Sequence, residues 1–291
     1  MGLRSRSESR RAPLPQCRTV TSPGDTYIHG HSDSVLRSHR WRTADNSAAY
    51  LLPHLVDGQR LLDVGCGPGT LTADLARRVG PTGSVVGIDI SAAVVQEAAA
   101  HAAAQEVGNV TFRAGDFREL EDLEGSFDVV HAHQVLQHLQ DPVGALAAMG
   151  RLARPGGIVA ARDSDYPAFV WTPADPRLDL WLEIYMAVSH RNGTRGDAGR
   201  YLLRWALEAG LTDVVYTTST WTFATPTDRS WWGGSWAERT VASSLAEQAV
   251  EYGIATKADL DEVSGGFRDW AEQPDGTFVL LHGEIVARSP S

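Results

Sequence analysis

The chain has 291 residues, with 26 Lys and Arg against 36 Asp and Glu and a net charge of −10, a balance that disfavours nucleic acid because phosphate binding needs clustered cations. No run approaches the roughly eighteen apolar residues of a membrane span, and the first residues lack the apolar stretch of a signal peptide. The two cysteines, Cys17 and Cys66, supply neither a disulfide framework nor a zinc cluster, so the expectation is a cytoplasmic chain without a metal.

Residues 1–24 carry five arginines, one glutamate and several serines and prolines with no apolar period, and read as a disordered basic leader. Residues 25–58 are expected to form a helical cap. They are dense in Tyr27, His29, His31, His39, Arg40, Trp41 and Arg42, which either line a pocket or close a sheet edge, and 47–55 has the apolar face of a helix.

The strand LLDV at 61–64 runs into CGPGT, where Gly65, Gly67 and Gly69 allow a sharp turn before the helical LTADLARRV. This is a strand, glycine turn and helix, the first unit of a nucleotide-binding α/β sheet. The spacing G-x-G-x-G departs from the dinucleotide fingerprint G-x-G-x-x-G, which argues against a nicotinamide oxidoreductase. Asp63 beside the turn would repel a pyrophosphate but suit an ammonium group. The second strand, SVVGIDI, ends in Asp89 and Ile90, and a carboxylate there can take both ribose hydroxyls. A nucleoside with a cationic tail fits better than one with phosphates.

Ser91 caps an alanine-rich helix, and the third strand, VTFRAG, ends at Gly115 and leads into Asp116 and Phe117. The fourth, FDVVHAHQVL, puts His131 and His133 on one face at its C-terminal end, where a neutral imidazole can take a proton. Asp141 and Pro142 start the next helix. The fifth strand, GIVAARDSDYP, brings Asp163 and Asp165 to one face at the crevice, to bind substrate, act as base or cap a loop.

These blocks, LLDVGCGPGT, VVGIDIS, AGDFRELE, FDVVHAHQVLQHLQDP and LARPGGIVAARD, resemble the class I S-adenosylmethionine-dependent methyltransferases, particularly their ubiquinone/menaquinone-biosynthesis-like branch, over residues 46–163. The resemblance implies a Rossmann-like, mostly parallel seven-stranded sheet with an antiparallel last strand. It implies S-adenosylmethionine as cofactor, held by Asp63, Gly65, Cys66, Gly67, Gly69, Asp89, Ile90, Gly115, Asp116, Phe117 and His131. In that family the Asp116 position accepts from the adenine amino group and its neighbour packs on the ring. The N-terminal segment would lie over cofactor and substrate. The expected layout is a core over 59–163, completed by 164–291 with its last two strands and helical lid insertions.

Beyond residue 167 the composition changes: eight of nine tryptophans lie in the last 121 residues. Two inserted helices are expected before the last strand, TFVLLHGEIVAR, with Trp231, Trp232 and Trp236 flanking a flexible turn at Gly233 and Gly234. With Tyr27, His39, Trp41 and Tyr166 they are the candidate acceptor-binding residues, and the aromatic area suits a flat apolar or aromatic small molecule. Lys257, the sole lysine, lies in a helix-start pattern, which sets Schiff-base chemistry aside. The expected reaction is methyl transfer to an O, N or C nucleophile with His133, Asp163 and Asp165 as candidate catalytic groups; a non-catalytic cofactor-binding protein on the same fold is the alternative.

Overall fold

The computed structural model describes residues 39–290. Five strands run parallel: β1 Arg60–Val64, β2 Ser84–Asp89, β3 Val110–Ala114, β4 Phe127–His133 and β5 Ala153–Ser164. Their spatial order is β3-β2-β1-β4-β5, after which β8 (Thr277–Arg288) is antiparallel to β5, and β7 (Thr212–Phe223) is antiparallel to β8. Alternate residues serve opposite faces, both of which are covered. Leu61, Val129 and Ile158 join one cluster with Leu71 and Leu75, whereas Leu62, Val130 and Val159 join another with Leu146 and Met149.

An eighth strand was not expected. β8 is 12 residues long and runs past the end of β5, leaving residues 277–279 to be paired, and the three-residue β6 (Val170–Thr172) supplies their partners on the β5 side.

The helices of the core begin where the sequence signals them. Gly69, at φ 80°, precedes α2 (Thr70–Arg78). Ser91 caps α3 (Ala92–Ala104), and Asp141 caps α4 (Pro142–Leu152) by accepting from the Gly144 N–H at 2.8 Å. The expected helix over 47–55 is not formed. A single turn, α1 (Ala44–Ser47), precedes a short 3-10 turn at Leu52–His54, because Pro53 removes a donor and cannot continue a helix.

The remaining helices are α5 (Pro176–Arg191), α6 (Leu202–Glu208), α7 (Pro226–Val241), α8 (Ser244–Glu251) and α9 (Lys257–Ala271). Helix α6 packs on the sheet, while α5, α7, α8 and α9 enclose a second core with Trp181, Tyr185, Trp236, Phe267 and Phe278. Three helices, not two, lie between β7 and β8, since Ser243 is extended and breaks the run after α7.

Gly233 and Gly234 also depart from expectation, for they lie inside α7. A reciprocal cap between Thr225 and Asp228, with Pro226 in the first turn, starts that helix firmly. Gly233 faces α9, where a Cβ would meet the Phe267 carbonyl oxygen at 2.7 Å and the Ala271 Cβ at 2.8 Å, whereas Gly234 has open space.

The two glycines therefore predict opposite responses. Gly234→Ala is expected to stabilise the fold by roughly 0.5–1 kcal/mol through helix propensity, and Gly233→Ala to destabilise it by about 1–3 kcal/mol through overpacking. Urea denaturation of both variants checks this, and equal effects would show that α7 and α9 are not in close contact.

Candidate active site

One crevice opens at the C-terminal ends of β1 to β4. Its floor is the first glycine turn, Gly65, Cys66, Gly67 and Pro68, with Asp89 at the end of β2, Ile90 just beyond it, and the run 115–118 after β3. The turn needs glycine for specific reasons: Gly65 (φ 67°) and Gly67 (φ 53°) are left-handed, and a Cβ on Gly65 would lie 2.4 Å from Val135. The Asp89 carboxylate accepts from the Gly67 N–H at 3.0 Å and the Ser91 N–H at 3.0 Å, which ties the first turn to the second.

Asp63 also borders the crevice, but both of its oxygens are engaged. Oδ2 accepts from the Thr72 hydroxyl at 2.6 Å, and Oδ1 lies 2.8 Å from His131 Nδ1. His131 is fully buried behind Asp63 and does not reach the crevice, a correction to its expected place in the lining. Gly69 is a second correction: it opens α2, and a Cβ there would meet Ala98 at 2.8 Å, so it serves packing between helices. The Cys66 thiol is pushed up by burial and by the charges of Asp63 and Asp89, which leaves it protonated and inert. Burial pushes the Asp116 carboxyl up, but the Arg118 hydrogen bonds and charge outweigh it and hold it below the usual range.

The opposite wall comes from four parts of the chain: Trp41 and Arg42 ahead of α1, His133, Gln134, Val135, His138 and Leu139 around the end of β4, Trp221 on β7, and Trp231, Trp232, Trp236 and Arg239 on α7. His39 and Tyr166 also line the crevice. Tyr27 lies outside the described residues. Tyr166 is stacked on Tyr185 at 3.8 Å between ring centres, and Trp41 packs edge-on to Trp221 at 5.1 Å and beside Trp231 at 5.3 Å. Trp232 and Trp236 are nearly as buried as core residues, so they belong to the lid core and to the wall at once.

Asp163 and Asp165 do not reach the crevice. β5 ends at Ser164, one residue too early for the pair to share a face. Asp163 is fully buried and its Oδ1 accepts from the Gln137 N–H at 3.1 Å, pinning the turn after β4, while Asp165 pairs with Arg200 at 2.5 Å. Burial pushes the Asp163 carboxyl up to about 7, against hydrogen bonds from the backbone and the charges of Arg162 and Arg42.

His133 is buried at the crevice with no hydrogen-bond partner on either ring nitrogen. Burial, then the cations Arg42 and Arg162, depress its pKa well below the usual histidine range. His138, brought down to about 3, and His282 are depressed for the same reasons. Residues missed in the sequence are Gln134, His138, Trp221, Arg239 and His282. Gln134, at φ 54°, donates to Ser164 Oγ at 2.9 Å, contacts His282 Nε2 at 2.9 Å and accepts from Arg42 at 2.5 Å. The only local signal for it was its place just past a strand end.

No group of three or more His, Cys, Asp or Glu that could hold a metal occurs among the described residues. No helix among them is long and apolar enough to cross a membrane.

Residues 55–201 match a family described as methyltransferase domain. Over 268 residues the chain is 31% identical to an uncharacterised methyltransferase of Schizosaccharomyces pombe, covering 89% of this chain and 95% of that one. The chain belongs to the class I S-adenosylmethionine-dependent methyltransferases. It is also 44% identical to a ubiquinone biosynthesis O-methyltransferase of Alkalilimnicola ehrlichii, but over 105 residues, 36% of this chain and 41% of that one. The fold is similar to that of Haemonchus contortus phosphoethanolamine N-methyltransferase 2, solved with phosphomonomethylethanolamine and S-adenosylhomocysteine, at TM-score 0.56 and 18% identity over 89% of this chain and 58% of that one.

The cofactor of this methyltransferase is S-adenosylmethionine, and the crevice fits it. Three carboxylates, Asp63, Asp89 and Asp116, lie at the ends of adjacent strands and suit a cationic nucleoside, while the nearby Arg118 is occupied by Asp116 instead of being offered to a phosphate.

The three depressed histidines set the acid response. A depressed pKa means that the unfolded chain binds protons the native chain refuses, so their contribution is intact above about pH 6.5 and lost as pH falls. Asp163 acts in the opposite sense, its contribution fading as pH rises through about 7. His133→Gln is thus expected to shallow the fall in unfolding free energy below pH 6.5 by about 1.4 kcal/mol per pH unit. Urea titrations at pH 6.5, 5.75 and 5.0 measure it, and parallel curves for variant and parent would mean that His133 titrates normally.

Proposed function

We propose that the enzyme methylates an O, N or C nucleophile on a small molecule with a flat apolar or aromatic body. The observation that supports this is the pairing, across one crevice, of a carboxylate-lined floor with a wall of Trp41, Trp221, Trp231, Trp232, Trp236 and Tyr166. Kinship with the ubiquinone/menaquinone-like branch has only the partial match behind it, so the acceptor class is argued from the wall.

In this reading Asp89 accepts from the ribose hydroxyls, and Asp116 with Phe117 holds the adenine, at the strand ends where such a crevice binds its ligand. The left-handed Gly65 and Gly67 let the backbone come close to the amino-acid portion, and Asp63, fixed by Thr72 and His131, supplies negative charge beneath it. S-adenosylmethionine, when bound, supplies an electrophilic methyl on a sulfonium. With it bound, that methyl would pass to the acceptor, the carbon–sulfur electron pair remaining on sulfur and any acceptor proton going to solvent. The tryptophans exclude water and fix the approach, so most of the rate comes from positioning.

His133 lines the crevice, both of its ring nitrogens are buried without a hydrogen-bond partner, and it is held neutral by burial beside Arg42 and Arg162. A ring kept neutral that strongly orients an acceptor O–H or N–H by hydrogen bonding and does not store its proton. In this reading His133 is a positioning group and not a general base, and Asp163 and Asp165, which do not line the crevice, take no part in the chemistry.

Two variants test these assignments. Asp89→Ala is expected to weaken S-adenosylhomocysteine binding by roughly ten- to a hundredfold with the thermal midpoint little changed; undiminished affinity by calorimetry would remove Asp89 from the site. Once an acceptor is in hand, His133→Asn is expected to lower kcat by about tenfold or less, the worth of one hydrogen bond. A drop of two to four orders of magnitude would reinstate it as the base.

A further inference from the structure

Gln134 joins three separate parts of the chain at the rim of the crevice. It follows β4 directly, lines the crevice and stands at φ 54°, one of three non-glycine residues with a left-handed backbone among the described residues. A glutamine holds that conformation only where its surroundings fix it. Its backbone N–H donates to the Arg162 carbonyl at 2.7 Å. Its side-chain amide donates to Ser164 Oγ at 2.9 Å, lies 2.9 Å from His282 Nε2 and accepts from Arg42 Nη2 at 2.5 Å. The orientation of the amide follows from these partners: a guanidinium can only donate, so the oxygen faces Arg42 and the two N–H groups are left for the hydroxyl and the imidazole nitrogen.

The bond to Arg42 reaches the stretch 39–42, of which His39, Trp41 and Arg42 line the crevice. That stretch is tied at two ends. The Thr70 hydroxyl, just past the glycine turn, donates to the His39 carbonyl at 3.1 Å, and Arg42 is held by Gln134. Between them Arg40 pairs with Glu97 at 2.6 Å, but in solvent-exposed surroundings, where an ion pair adds little. Trp41 is carried along, packed against Trp221 and Trp231. On its other side Gln134 is followed by Val135, whose side chain occupies the space that a Cβ on Gly65 would need. One short line of contacts therefore runs from the glycine turn through Val135 and Gln134 to Arg42 and Trp41, from the cofactor floor to the opposite wall.

We propose that Gln134 is a positioning residue through which the bound cofactor closes residues 39–42 over itself. A cofactor on the glycine turn fixes Val135 against Gly65, which settles the left-handed Gln134 backbone in the conformation that offers its amide oxygen to Arg42, and Arg42 brings Trp41 to the wall. Gln134 touches no reacting atom and acts through Arg42. The coupling is reciprocal, so the attached segment tightens cofactor binding by the factor with which the cofactor favours attachment. The opposite wall is complete only once the cofactor is seated.

Hydrogen–deuterium exchange of the full chain, with and without saturating S-adenosylhomocysteine, tests this. In the parent the ligand is expected to slow exchange of the amides in 39–48 by at least about tenfold, within the usual range of coupling between sites. In Gln134→Ala, saturated as judged by calorimetry, that slowing is expected to fall below about threefold while the slowing at 65–69 persists, a pattern that general loss of structure would not give. Arg42→Ala is expected to lose it to the same degree, and the double variant no further than either alone. Unchanged ligand dependence in either variant, its absence in the parent, or additive losses in the double variant overturn the proposal. Arg42→Ala decides the matter even where Gln134→Ala fails to fold.

Discussion

Trp221 is the contact on which the site depends. Its indole N–H donates to the Asn46 carbonyl at 2.6 Å, and its ring meets Trp41 on one side and His282 at 4.5 Å on another, with the Arg162 guanidinium 4.8 Å from its centre. One side chain from the antiparallel end of the sheet therefore holds the N-terminal segment against the lid and closes the crevice that the parallel strands leave open. Indole suits this place because it offers two large apolar faces and a single donor at its edge. A phenylalanine would keep much of the area but leave the Asn46 carbonyl without its partner.

Beneath that ring the sheet carries an unusual charge. Arg162 and Glu284 face each other in register on β5 and β8, with Nε 3.1 Å from Oε1, and Ser219 and Thr217 on β7 donate to the same carboxylate. Burial pushes the Arg162 pKa down to about 10, well above neutrality, so the pair is ionic. A buried pair of this kind contributes little net stability, yet removing one partner typically costs about 3–5 kcal/mol, because the other is left charged in a dry place. Its consequence for the site is electrostatic: a fixed cation behind Trp221 joins Arg42 in holding His133 and His282 neutral.

The parts of this that were legible in the sequence are those written in consecutive residues. Gly65 and Gly67 announce a turn because a side chain strains those left-handed dihedrals, Asp89 announces a strand end beside that turn, and Asp141–Pro142 announces a helix start. The misreadings arose where a long-range contact overrides a local rule. Asp163 and Asp165 share a face only if β5 continues one residue further, and the Arg200 guanidinium takes Asp165 away before it does. Paired glycines usually signal a turn, but in α7 one of them is required by the approach of α9 and the capped helix runs through both. His131 follows the alternation correctly and still misses the crevice, because Asp63 stands in front of it.

The lid differs from the sheet in how function and stability are related. In the sheet, most of the residues that line the crevice sit at the last positions of the strands or in the turns that follow, at the edge of the alternating core. In the lid there is no such edge at Trp236, which packs edge-on against Trp181 at 4.6 Å and along Phe267 at 5.9 Å while also lining the crevice. Any change of wall shape there is also a change of core volume, and cores respond to a single methylene. Trp41 and Trp231 escape this coupling, being only half-buried and meeting each other across the gap between the N-terminal segment and α7. A substitution at that aromatic pair would therefore exchange area on the crevice wall without opening a core cavity, whereas Trp236 lines the crevice while holding α5, α7 and α9 together.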